Sequence, residues 1–171
     1  MKDKEEELIK NFGDEWLIFD QKKIPIFHNQ IIFKKYFQVL PKNILREDSV
    51  VLDAGCGSGR WAYFIAPKVK KLFCLEPSKA IYVAKENLKS FENITFINDK
   101  IENLKIENNS IDFCYCLGVL HHTHDINKNL KKLIDKLKSG SPILLYLYYN
   151  FENRNMPYRN FAAANVAIFF F

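Results

Sequence analysis

The run Asp53-Ala54-Gly55-Cys56-Gly57-Ser58-Gly59-Arg60 puts three glycines at alternate positions directly after the apolar segment Ser49 to Asp53. Glycine adopts positive φ without steric cost and lets a ligand approach the backbone, so this spacing predicts a sharp strand-to-helix turn beneath a bound molecule. The next apolar segment ends in Leu75-Glu76-Pro77, with its acid 23 positions after Asp53. A carboxylate there can accept hydrogen bonds from two vicinal ribose hydroxyls. Turn and acid together predict a nucleoside-containing ligand. Arg60 stands where a dinucleotide-binding turn needs a small residue, and Asp53 at the mouth of the turn would repel a pyrophosphate. Both features weaken a nicotinamide-dinucleotide reading, and the Asp53 carboxylate favours a ligand that carries positive charge, such as an ammonium or a sulfonium.

A second chemistry-bearing group is His121, His122 and His124 with Asp125. A neutral imidazole can take a proton near pH 7, so His121 and His122 are candidate general bases. Adjacent histidines after a strand end point in different directions and no fourth ligand lies nearby, so no metal site is expected. The four cysteines, Cys56, Cys74, Cys114 and Cys116, lie in apolar segments or in the Gly-rich turn, which predicts reduced, buried thiols and a cytosolic protein.

The elements that must position these residues alternate. Five apolar segments read as strands: Ser49 to Asp53, Leu72 to Leu75, Ile94 to Ile97, Ile111 to Cys116 and Ile143 to Tyr149. Amphipathic stretches read as helices at Pro25 to Leu40, Ser58 to Ala66, Ser78 to Ser90 and Ile126 to Leu137, the third with Ser78 as N-cap. Strands apolar on both faces, separated by helices, predict an α/β doubly wound, mostly parallel sheet covered on both sides. The 171 residues suit one such domain. Three parts are expected: an N-terminal helical extension at 1–47, an α/β domain at 48–150 and a tail at 151–171. The formal net charge of +5, with only four arginines (Arg46, Arg60, Arg154 and Arg159), does not imply a nucleic-acid reader. The charged N-terminus lacks the apolar core of a secretory signal, and no run approaches the ~20 apolar residues of a bilayer span.

With those residues in place, Val-Leu-Asp53-Ala-Gly55-Cys-Gly57-Ser-Gly59 resembles the first motif of class I S-adenosylmethionine-dependent methyltransferases. Glu76 matches the ribose-binding acid of that family, and Asn98-Asp99-Lys100-Ile101 falls where the family grips adenine. The segments from Ile111 to His122 and from Leu137 to Leu145 resemble the fourth-strand motif and the turn into the fifth strand. The resemblance implies a cofactor site made of Asp53, Ala54, Gly55, Cys56, Gly57, Glu76, Pro77, Asp99, Lys100, Ile101 and Leu117, with S-adenosyl-L-methionine as cofactor. In that site Asp53 and the Gly55–Gly57 backbone would hold the amino-acid end.

The implied activity is methyl transfer to an unidentified acceptor, expected to be a small molecule. Two alternatives stand beside it: a non-catalytic remnant of the fold and a nicotinamide-dependent oxidoreductase. The family's sheet continues with a sixth and a seventh strand, and about 20 residues follow Tyr149. The expectation is therefore a shortened sheet of about five strands. Its outer edge, Ile143 to Tyr149, would be open to self-association unless a helix from about Tyr158 covered it.

Overall fold

The computed structural model describes residues 2–18, 24–149 and 163–171. Helices α1 (Lys2–Ile18) and α2 (Ile26–Phe37) precede an alternating series: β1 (Val50–Ala54), α3 (Ala62–Ile65), β2 (Lys71–Leu75), α4 (Ala80–Asn87), β3 (Ile94–Ile97), β4 (Phe113–Leu117), α5 (Ile126–Ile134) and β5 (Pro142–Tyr149). A last strand, β6 (Ala163–Phe170), follows. The sheet order is β3-β2-β1-β4-β5-β6, parallel throughout except for the antiparallel β5–β6 pair.

Strand alternation splits the core into one cluster on each face of the sheet. Val51, Phe113 and Tyr115 face a layer built from α2, α3 and α4, with Phe33, Phe37, Ile65 and Leu88 as its anchors. Leu52, Cys114 and Cys116 face the opposite layer, where Leu133 of α5 packs with Leu120 and Leu104. All four cysteines are free and buried. Asp112 ties the bottom of the sheet together: its carboxylate accepts from the Val50 amide at 2.8 Å and from Lys138 Nζ at 2.7 Å.

Two expectations need correction. The stretch read as a helix from Ser58 is a turn through Trp61, and only Ala62–Ile65 is α-helical before a short 3-10 segment, Ala66–Lys68. The Gly-rich turn consumes these residues, because Gly59 N donates to Cys56 O at 2.8 Å before a helical repeat can begin. The sheet also has six strands, not about five. β6 pairs with β5 from Pro142↔Phe170 to Tyr149↔Ala163, along the whole length of β5. The edge expected to be open is therefore filled by the chain's own last strand. A short hydrophobic segment such as this one does not reveal from its own sequence which edge it will meet. The helix expected from about Tyr158 is not what covers this edge: residues 163–170 are strand, and residues 150–162 lie outside those described.

Candidate functional site

The sheet order reverses between β1 and β4, and in a doubly wound sheet ligands bind outside the carboxyl ends of the strands at that reversal. A cavity of about 430 Å³ lies there, within the ~300–1,000 Å³ typical of small-ligand sites. The turns after β1, β2, β3 and β4 form its inner wall. Opposite them stand Phe12 and Trp16 of α1, Tyr36 of α2 and Tyr146 of β5.

The inner wall is built around one carboxylate. Glu76 Oε2 accepts from Gly57 N at 3.0 Å, and Oε1 accepts from Ser78 N at 2.9 Å. The same acid therefore pins the Gly-rich turn to the start of the segment leading into α4. Gly55 N and Cys56 N both donate to Leu75 O, at 2.8 and 3.0 Å, which fastens the turn to the end of β2. Gly55 has φ +86°, and a Cβ there would come within 2.3 Å of Val119 Cγ2. Gly59 has φ +82°, and a Cβ there would strike Leu88 at 2.6 Å. These glycines are required by backbone conformation and by close packing alike.

The residues expected from the sequence divide into two groups. Gly55, Cys56, Gly57, Glu76, Pro77, Lys100, Ile101, Leu117 and His122 line the cavity. Asp53, Ala54, Asp99 and His121 do not.

Asp53 is the largest departure. It is only 2% exposed, and its Oδ2 accepts from the Tyr115 hydroxyl at 2.8 Å. Asp53 and Tyr115 are register partners in β1 and β4, so alternation sends both side chains into the sheet face and not out of the strand end. Burial pushes the Asp53 carboxyl well above the usual carboxylate range; the Tyr115 hydrogen bond opposes that rise and the nearby Glu76 charge adds to it. Ala54 is fully buried on the other face.

Asp99 turns its Oδ1 back to Asn103 Nδ2 at 2.7 Å and to the Lys100 amide at 2.8 Å, bonds that hold its carboxyl below the usual range. Lys100 and Ile101, with Glu102, face the cavity instead. Asn98 steadies the neighbouring loop, donating to Glu76 O at 2.8 Å.

The histidines occupy a 3-10 turn, Leu120–His122, anchored by buried Leu120. The His121 and His122 rings are 4.0 Å apart, and Phe12 lies 5.1 Å from His122. Burial lowers both imidazoles, His121 to about 4 with His122 as a second cause. Both are therefore neutral near pH 7, and His122 with Thr123 reaches the cavity. Among the described residues no group of three or more His, Cys, Asp and Glu side chains could hold a metal ion.

Several cavity residues lay outside the sequence-based expectation. Leu8, Phe12 and Trp16 follow one another at i, i+4 and i+8, an apolar stripe that marks a helix face needing cover. Gly13 of the same helix packs on Ser78: a Cβ there would lie 3.1 Å from the Ser78 Cβ, and this close approach seats α1 across the Glu76 loop. Trp61 and Tyr146 read as packing residues, yet both line the cavity. No local signal distinguishes those two roles.

The cavity suits a nucleoside-bearing cofactor: glycine backbone leaves space at the turn, and the buried Glu76 carboxylate keeps lone pairs beyond those used by the Gly57 and Ser78 amides. Among the described residues no helix is long and apolar enough to cross a membrane.

Known proteins share this chain's sequence pattern and fold. The chain is 32% identical over 110 residues to the tRNA U34 carboxymethyltransferase of Campylobacter fetus, covering 58% of this chain and 36% of that protein. It thus spans little more than a third of the length of the curated relatives it matches first. Among solved structures, the YcgJ protein of Bacillus subtilis superposes with a TM-score of 0.61 at 26% identity, over 71% of this chain and 50% of that one. An S-adenosylmethionine-dependent methyltransferase from Aquifex aeolicus shares the fold, with a TM-score of 0.58 at 16% identity, over 78% and 72% of the two chains. A family profile described as the methyltransferase domain matches residues 51–140, just over half of the chain. With the Gly-rich turn, the strand-end acid and the sheet order in agreement, the chain belongs to the methyltransferase-domain family, whose cofactor is S-adenosylmethionine.

Proposed function

We propose that this chain binds S-adenosylmethionine in the β1–β4 cavity and serves methyl transfer to a nucleoside of tRNA. The observation that carries the cofactor reading is Glu76, joined to both the Gly57 and the Ser78 amides at the cavity wall. When bound, S-adenosylmethionine supplies a methyl group on a sulfonium, already activated for in-line displacement. The chain's own work is then positioning. Glu76 accepts the ribose hydroxyls, the Gly55–Gly57 backbone borders the amino-acid end, and Lys100 and Ile101 flank the adenine. Leu117 closes the floor. His122, kept neutral by burial, takes the proton of an acceptor that arrives protonated.

The acceptor class rests on the relatives named as tRNA U34 carboxymethyltransferases. Their names favour a tRNA nucleoside over the small molecule suggested by the scarcity of arginine, and a tRNA acceptor fits a cytoplasmic location.

Calorimetry with S-adenosylhomocysteine tests the cofactor half of this reading, and transfer of labelled methyl from S-adenosylmethionine into deproteinised tRNA tests the acceptor half. Binding and transfer support it. Absence of binding ends the cofactor reading, and binding without transfer into tRNA ends the acceptor reading. His122→Gln should lower turnover by about 10²–10⁴ with little change in cofactor affinity.

A further inference from the structure

Arg60 follows the Gly-rich turn and lines the cavity together with Trp61, Tyr36 and Tyr146. Its guanidinium carbon lies 3.8 Å from the centroid of the Trp61 ring. The Trp61 ring is 5.3 Å from Tyr36, and Tyr36 is 5.0 Å from Tyr146, so the three rings form a continuous wall with the cation at one end. Three carboxylates line the same cavity, Glu15, Glu76 and Glu102, and none forms an ion pair with Arg60 among the described residues. No hydrogen bond from Arg60 to any protein acceptor is present there either. Arg60 is half-buried, and burial lowers its pKa.

A guanidinium carries five N–H donors in a planar fork. Stacking on Trp61 covers one face of that plane and leaves the edge, where a two-oxygen acceptor binds. A partly desolvated cation with an open edge is costly unless a ligand supplies the anion. The adjoining rings offer flat apolar surface on which a base can stack. Lys100, the other cation of the cavity, belongs to the turn after β3 and does not share this wall.

We propose that Arg60 anchors a phosphate of the acceptor nucleotide, while the wall of Trp61, Tyr36 and Tyr146 receives the base. This deepens the tRNA reading above and rests on it. The competing source of an oxyanion is the carboxylate of the cofactor's own amino-acid end, and the test separates the two.

The full chain, saturated with S-adenosylhomocysteine, is titrated with uridine and with uridine 5′-monophosphate, with binding followed by NMR. The expected result is that the monophosphate binds tighter than uridine by about tenfold or more, the scale of hydrogen bonding to a charged group. In Arg60→Gln the two ligands should bind alike, whereas Arg60→Lys should keep part of the preference. S-adenosylhomocysteine affinity should change little in both variants. Equal binding of the two ligands by the wild type overturns the proposal, and so does binding of neither. A loss of S-adenosylhomocysteine affinity in Arg60→Gln, matching any loss for the monophosphate, also overturns it and assigns the guanidinium to the cofactor carboxylate. Failure of the wild type to bind S-adenosylhomocysteine at all is a different outcome: it removes the cofactor reading on which this proposal stands.

Discussion

The two walls of the cavity are held by different forces. The inner wall is a set of strand-end turns locked by short hydrogen bonds: Glu76 to Gly57 and Ser78, and Leu75 O to Gly55 and Cys56. The outer wall is a set of rings in contact: Phe12 on His122, Tyr36 on Trp61 and on Tyr146. Hydrogen bonds fix geometry by direction and distance, whereas ring contacts accept a range of separations and tilts. The inner wall is therefore the stiffer of the two, as the proposed cofactor site requires, and the outer wall the more adaptable, as the proposed acceptor site requires. Within the inner wall a second contrast appears. Asp53 and Glu76 close consecutive strands in the sequence, yet Glu76 lines the cavity while Asp53 is sealed beneath it against Tyr115.

The sharpest way to break the inner wall is Gly55→Ala. The left-handed backbone costs about 1–2 kcal/mol for a side chain, and overlap with Val119 adds about 1–3 kcal/mol. Chemical denaturation should show a large fall in stability, together with lost binding of S-adenosylhomocysteine. An unchanged midpoint would mean that the turn relaxes freely and that its hydrogen bonds do not define the wall.

Glu76→Ala comes next. Each hydrogen bond to a charged group contributes about 1.5–3 kcal/mol, so cofactor affinity should drop by about tenfold or more. Asp53→Asn is the paired control: it can keep the Tyr115 hydrogen bond and should leave affinity nearly unchanged. Equal losses in the two variants would erase the distinction between the two acids. The same pair differs in its pH response. The folded-state pKa of Asp53 is raised above its ordinary 3.8, so its stabilising contribution is complete below that value and declines as pH rises towards the folded-state pKa. Asp53→Asn should remove this decline in urea titrations carried from acid to neutral pH.

His121 gives a smaller effect of opposite sign. Its pKa falls from 6.5 to about 4 on folding, so its contribution is complete above the higher value and is lost as pH drops towards the lower one. His121→Gln should flatten the acid side of the stability profile, and an unaltered acid limb would show that the ring is not desolvated.

Trp16→Ala should be the mildest change. Trp16 is half-buried on α1 over Gly57, 3.5 Å from where a Cβ would stand, so its removal should lower cofactor affinity only a few-fold, about 1 kcal/mol or less. A loss as large as that of Glu76→Ala would make α1 part of the inner wall and collapse the comparison.

The sequence by itself determined the elements whose information is local. Glycine spacing at 55, 57 and 59, the acid at 76 and the two-sided apolar strands led to the doubly wound sheet, its ligand edge and most of the inner wall, because backbone conformation and strand periodicity depend on near neighbours along the chain. Tertiary structure decided what depends on distant partners. Pairing of β1 with β4 turned Asp53 towards Tyr115, so that it does not line the cavity. β6 filled the outer edge of β5, a pairing set by where the chain returns and not by any feature of residues 163–170 alone. Packing of α1 and α2 brought Phe12, Trp16 and Tyr36 to a cavity whose strand-end residues lie from about 20 to more than 100 positions away in sequence, and contacts over such separations are fixed only when the layers close on the sheet.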